Sequence, residues 1–136
     1  MASASTQSGA VPKLERFVGF ALTSKTEEAE HFYGRVLGFQ FLKDDGFALV
    51  FDAHGTMLRI SKMKEFTPAS HTILGWEVDD IEREVENLGK KGVNFERYPG
   101  MPQDERAICT FPTGDRVAWF KDPDGNVLSI SQHAKE

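Results

Sequence analysis

The chain has 136 residues and a mass of 15.2 kDa, with 40% hydrophobic residues and a formal charge of −5. That is enough for one hydrophobic core and too little for two full domains. Its apolar runs, such as 47–51 and 117–120, fall far short of the roughly 20 residues that cross a bilayer, so no membrane association is expected. An acidic balance without a Lys/Arg cluster beyond Lys90-Lys91 lacks the grouped cations that neutralise phosphates, and nucleic acid is not an expected partner.

Residues 1–10 are small and polar, without the basic start and apolar stretch of a secretory signal; a disordered tail is expected over 1–13. Cys109, the sole cysteine, excludes an intrachain disulfide and a Cys-based zinc cluster, and fits a reducing, cytoplasmic setting.

Residues 17–22 form an apolar run that predicts a strand. Thr26 follows as an N-cap, with Glu27 and Glu28 in the first helical turn. Ala29, Phe32, Tyr33, Val36 and Leu37 share one face of that helix, and Gly38 stands where it should stop. Strands are then expected at 39–42, 47–51 and 56–61, parted by the turn signals Asp44-Asp45-Gly46 and His54-Gly55.

From residue 71 the order starts again. Residues 72–78 read as a strand, Asp79 or Asp80 caps a helix, Ile81, Val85 and Leu88 form its apolar stripe, and Gly89 and Gly92 end it. Later strands are expected at 93–98, 107–111, 117–120 and 126–131, the last two joined by the turn Asp122-Pro123-Asp124-Gly125. The excursion 99–114 has no counterpart in the first half and is a candidate cover for one end of a pocket.

The repeat is visible in the residues themselves: 55–61 and 125–131 share the pattern G-x-x-L-x-I-S, which makes Arg59 and Ser129 equivalent. The expected fold is α+β, one domain over 14–132 built of paired βαβββ modules, about 16–62 and 71–131, forming a curled mixed sheet around a pocket.

Three segments together carry a family resemblance. Phe32-Tyr33-Gly34-Arg35-Val36-Leu37-Gly38-Phe39 is similar to the F-Y-x-x-x-L-G-F helix ending of the vicinal oxygen chelate superfamily, which includes glyoxalase I, bleomycin-resistance proteins and extradiol dioxygenases. Trp76-Glu77-Val78-Asp79-Asp80-Ile81 resembles its second strand-to-helix junction, and residues 120–126 resemble its final hairpin. The resemblance spans about 16–131 and implies two curled modules around a cavity, commonly completed in a homodimer.

It also implies a divalent metal held by one His or Glu from the first and last strand of each module. The matching positions here are Val18 or Gly19, Arg59, Ile73 and Ser129, none a strong ligand, and Arg59 is a permanent cation. Neither metal nor other cofactor is therefore expected. His71, two residues before Ile73, would share its strand face and approach the site if the register slipped. His31, His54 and His133 are read as surface residues. Asp122, Asp124 and Asn126 imitate the start of a calcium loop, but Val127 and His133 replace its glycine and closing glutamate.

Arg59 offers a planar set of donors to a carboxylate, phosphate or enolate oxygen, or else pairs internally with Glu77. Trp76 shares strand parity with Leu74 and Val78 and is expected in the core, whereas Val117 and Trp119 would face the cavity. Nothing near Cys109 in sequence activates its thiol.

The leading expectation is a small-molecule-binding protein whose ligand meets Arg59, His71, Ile73, Glu77, Trp119 and Ser129. Alternatives are a drug-sequestering resistance protein, a metalloenzyme with displaced ligands, a metal-free isomerase or lyase with Glu77 or His71 as base, and a regulatory module with a vestigial pocket.

Overall fold

The computed structural model describes residues 9–135. Most of the expected tail lies outside them, and residues 9–13 have no regular structure. Among the described residues, no helix is long and apolar enough to cross a membrane.

The first module consists of β1 (Val18–Thr23), α1 (Thr26–His31), β2 (Gln40–Asp44), β3 (Ala48–Ala53) and β4 (Thr56–Lys62). Its sheet has the order β1-β4-β3-β2, with β1 parallel to β4 and the other neighbours antiparallel. The second module repeats the plan with β5 (Thr72–Glu77), α2 (Ile81–Lys90), β6 (Cys109–Thr110), β7 (Arg116–Lys121) and β8 (Val127–Gln132), in the order β5-β8-β7-β6. The two mixed four-stranded sheets with few helices confirm the expected α+β class.

Local chemistry explains most boundaries. His54 and Gly55 both have positive φ, 55° and 98°, the two-residue turn that matches strand twist in the β3–β4 hairpin. Asp80 caps α2 by accepting from the N–H of Arg83 at 3.2 Å. Three expectations need correction. The N-cap of α1 is Lys25, without a side-chain cap, and Thr26 is the first helical residue; Thr23 Oγ1 accepts from the Lys25 N–H at 3.0 Å just before it. Gly89 lies inside α2, and the left-handed Gly92 (φ 93°) stands beyond its end. Segment 93–98 forms a single bridge, Phe95 to Phe120, instead of a strand.

α1 continues into a π-helical turn, Phe32–Val36, which together with α1 turns Ala29, Phe32 and Tyr33 into the interior. There they join Leu49, Phe51, Leu58 and Ile60 of the first sheet and Ala118, Phe120, Leu128 and Ile130 of the second in one core. Each such large side chain contributes about 1.5–3 kcal/mol of burial. Strand alternation leaves the other face of each sheet free of helix.

The modules are joined by polar contacts as well. Asp122, almost fully buried, accepts from the Tyr33 hydroxyl at 2.6 Å and from Asn126 Nδ2 at 2.8 Å, while its second oxygen accepts the N–H groups of Asp124 and Asn126, each at 2.9 Å. Asp124 accepts from Thr23 Oγ1 at 2.5 Å and from the Ser24 N–H at 2.8 Å. The turn read as a hairpin signal is thus also the clasp between β1 and the second module.

Candidate functional site

On the helix-free faces, register sets the site residues in rows. Phe20, Arg59 and Val50 are neighbours across β1, β4 and β3; Gly75, Ser129 and Trp119 are neighbours across β5, β8 and β7. The equivalence of Arg59 and Ser129 read from the repeat therefore holds in space, and it extends to Val50 with Trp119 and Phe20 with Gly75. A Cβ on Gly75 would stand 2.7 Å from Ser129 Oγ, so glycine is what lets the serine lie over the strand.

β1 and β5 come side by side: a Cβ on Gly19 would lie 3.4 Å from Leu74 Cδ2. Along this seam lies a cavity of about 280 Å³ whose walls include Phe20, Leu22, Phe66, Pro68, Ile73 and Asn126. The linker carrying Phe66 and Pro68 thus roofs the meeting line of the two modules. Its lining is mainly apolar, and Arg59 adjoins Phe20 in the sheet.

Arg59 pairs with Asp45, not with Glu77 as one reading of the sequence had it. Its Nη2 donates to Asp45 Oδ2 at 2.8 Å, with both side chains about a quarter exposed. Asp45 also accepts the N–H groups of Phe47 and Ala48. These bonds, that from Arg59 foremost, lower its carboxyl to about 2. The turn Asp44-Asp45-Gly46 thereby brings a carboxylate to the guanidinium from 14 residues away.

Glu77 instead faces the chain's end. His133 Nδ1 lies 3.8 Å from Glu77 Oε2, and its Nε2 is 3.1 Å from Ser131 Oγ. Glu77 and Ser131 are register partners, so serine, imidazole and carboxylate form an exposed array that the sequence reading missed. The signal was available: Ser131 and His133, two apart at a strand end, project from one face.

His71 departs from expectation and Trp119 keeps its expected parity. The β5–β8 register shifts between Thr72 and Leu74, a bulge that breaks the alternation by which His71 was to share the face of Ile73. His71 stands exposed just before β5. Trp119 does face away from the core residues Ala118 and Phe120, and the Tyr98 ring meets it edge-on, centroids 5.5 Å apart. Tyr98 opens the excursion, which is fastened internally: Gln103 accepts from the Tyr98 N–H and donates to the carbonyls of Glu96 and Ala107. Cys109 is buried.

The four positions where the resemblance implies metal ligands do not fit a divalent ion. Val18 and Ile73 have no donor, Ser129 is a neutral hydroxyl, and Arg59 is a cation already engaged by Asp45. Among the described residues, no three His, Cys, Asp or Glu side chains converge.

The family model for the Glyoxalase/Bleomycin resistance protein/Dioxygenase superfamily matches residues 14–130. The chain belongs to this superfamily. Solved structures of the superfamily share its fold at low identity. A glyoxalase/bleomycin resistance protein/dioxygenase from Nocardioides superposes with a TM-score of 0.70 at 15% identity, covering 93% of this chain and 88% of that one. A glyoxalase/dioxygenase from Nostoc punctiforme gives 0.67 at 20%, covering 96% and 100%. A lactoylglutathione lyase from Agrobacterium tumefaciens gives 0.67 at 17%, covering 89% and 95%. Comparison with curated proteins found no match.

Proposed function

We propose that this superfamily member is a metal-independent small-molecule-binding protein that holds a compact apolar or aromatic ligand in the seam cavity. The observation that carries this reading is the meeting of Phe20 and Ile73 in one mainly apolar cavity, with Arg59 the register partner of Phe20 on the adjoining strand. The ion pair with Asp45 uses Nη2, which leaves Nε and Nη1 to donate to a ligand carboxylate or carbonyl oxygen. Ser129 and Trp119, in the equivalent row of the second module, supply a hydroxyl and an aromatic wall.

The test is isothermal titration with aromatic carboxylates, benzoate and 2-naphthoate, against the protein and Arg59→Ala. Saturable binding that weakens about tenfold or more in the variant supports the reading. Equal affinity in both proteins removes Arg59 from the site, and no saturable binding removes the ligand class. Elemental analysis belongs beside it: stoichiometric nickel, zinc, manganese or iron in purified protein would overturn metal independence.

We also propose a homodimer. Phe17, Phe20 and Met57 are 77%, 58% and 44% exposed on or beside β1 and β4, a group of large apolar side chains that a second copy would cover. Light scattering at micromolar concentration checks this, and a monomer overturns it.

A second reading, an enzyme with His133 as general base, is favoured by the array in which Glu77 and Ser131 flank its two ring nitrogens. Any turnover found in a substrate screen should then fall at least about a hundredfold in His133→Gln; undiminished turnover excludes it.

A further inference from the structure

On the helix side, where Leu37, Phe39, Trp76 and Leu88 approach one another, the core is open. They line a cavity of about 330 Å³ whose floor reaches Phe120 and Ile130, both members of the buried core. Phe39 and Trp76 form an aromatic wall, centroids 5.3 Å apart and planes 43° to each other. An apolar opening of this size is within the range of small-ligand pockets, and it lies across the sheet from the seam cavity, since Trp76 belongs to the core-facing side of β5.

The charged lining decides what it would hold. Its titratable side chains are Glu77, Glu84 and His54, with no Lys or Arg among the lining residues. Glu84 is fixed by Arg83 Nε at 3.1 Å and Asn87 Nδ2 at 3.2 Å, whereas Glu77, which alternates with Trp76 along β5, turns its carboxylate away to His133. His54 rests edge-on against Phe39, centroids 5.7 Å apart. Aromatic faces below and the Glu84 carboxylate at the rim suit a cation with an apolar body, because ring quadrupoles and carboxylates both attract positive charge. A carboxylate ligand would meet the like charge of Glu84.

We propose that this helix-side pocket is a second binding site, distinct from the seam, which takes a compact aromatic cation such as a benzylammonium or quaternary benzylammonium group. The cationic head lies towards Glu84, and the ring enters beside Phe39 and Trp76.

The test uses Trp119→Phe, which leaves Trp76 as the sole tryptophan, and follows its fluorescence on titration with benzyltrimethylammonium, benzyl alcohol and phenylacetate. The expected result is saturable quenching by the cation, with the alcohol and the carboxylate about tenfold weaker or worse. Adding Glu84→Gln, a near-isosteric change at a half-buried residue outside the core cluster, should weaken the cation about three- to tenfold, whereas adding Arg59→Ala should not. No saturable quenching, equal affinity for all three probes, or indifference to Glu84→Gln would each overturn the proposal. A loss caused by Arg59→Ala would place the probe in the seam and overturn it equally.

Discussion

The hydroxyl of Tyr33 on the first module donates to Asp122 on the second at 2.6 Å, across 89 residues of sequence. Both groups are buried, so this bond to a charged acceptor outweighs an exposed one, and its loss would leave Asp122 with fewer donors. Tyr33→Phe should destabilise the protein by about 1.5–3 kcal/mol, read by urea denaturation.

The same bond sets an alkaline limit. Burial first, and then the Asp122 charge, raise the Tyr33 phenol well above 10. Folding therefore favours the protonated phenol: the stabilisation is complete below pH 10 and declines as pH rises above it. Stability should fall above pH 10 in the native chain and less steeply in Tyr33→Phe, as measured by thermal melts from pH 9 to 11.

Asp45 behaves in the opposite sense. With its folded carboxyl at about 2, below the usual 3.8, the Arg59 pair favours folding above pH 3.8, and that contribution is lost as pH falls towards 2. Carboxyl NMR should find Asp45 titrating near 2 in the native protein and clearly higher in Arg59→Ala. An unmoved midpoint would show that the pair does not persist in solution.

Gly125 closes the clasp turn with φ 91°, and a Cβ there would stand 3.4 Å from Pro68. Gly125→Ala should cost about 1–2 kcal/mol, because an L side chain is strained in that backbone region. A melt unchanged within about 0.5 kcal/mol would show that the turn can relax.

Most of the fold could be read before any coordinates because its signals are local. The apolar spacing from Ala29 to Leu37, the turn residues His54-Gly55 and the shared G-x-x-L-x-I-S pattern each act within a few residues. The site was legible only in part. Rows such as Phe20–Arg59–Val50 follow from alternation, but the partner of Arg59 is decided by where the turn at Asp45 swings, and the alternation that would orient His71 is broken by a one-residue bulge. Neither leaves a mark in periodicity. Segment 93–98 looked like a strand on composition, yet its neighbours along β7 are divided between Phe95 and β6. The Glu77–His133 approach required knowing where the chain's end returns.

The clasp at Asp122 and Asp124 also orders events during synthesis. Thr23 and Tyr33 emerge from the ribosome well before their acceptors, which lie 101 and 89 residues later. Until those acceptors arrive, the first module has an open apolar flank and unclaimed hydroxyls. Completion of its core therefore waits until the last hairpin has been made, which leaves shorter nascent chains dependent on protection from aggregation. Truncations before the last hairpin should accumulate as insoluble material, however intact their first four strands are in sequence.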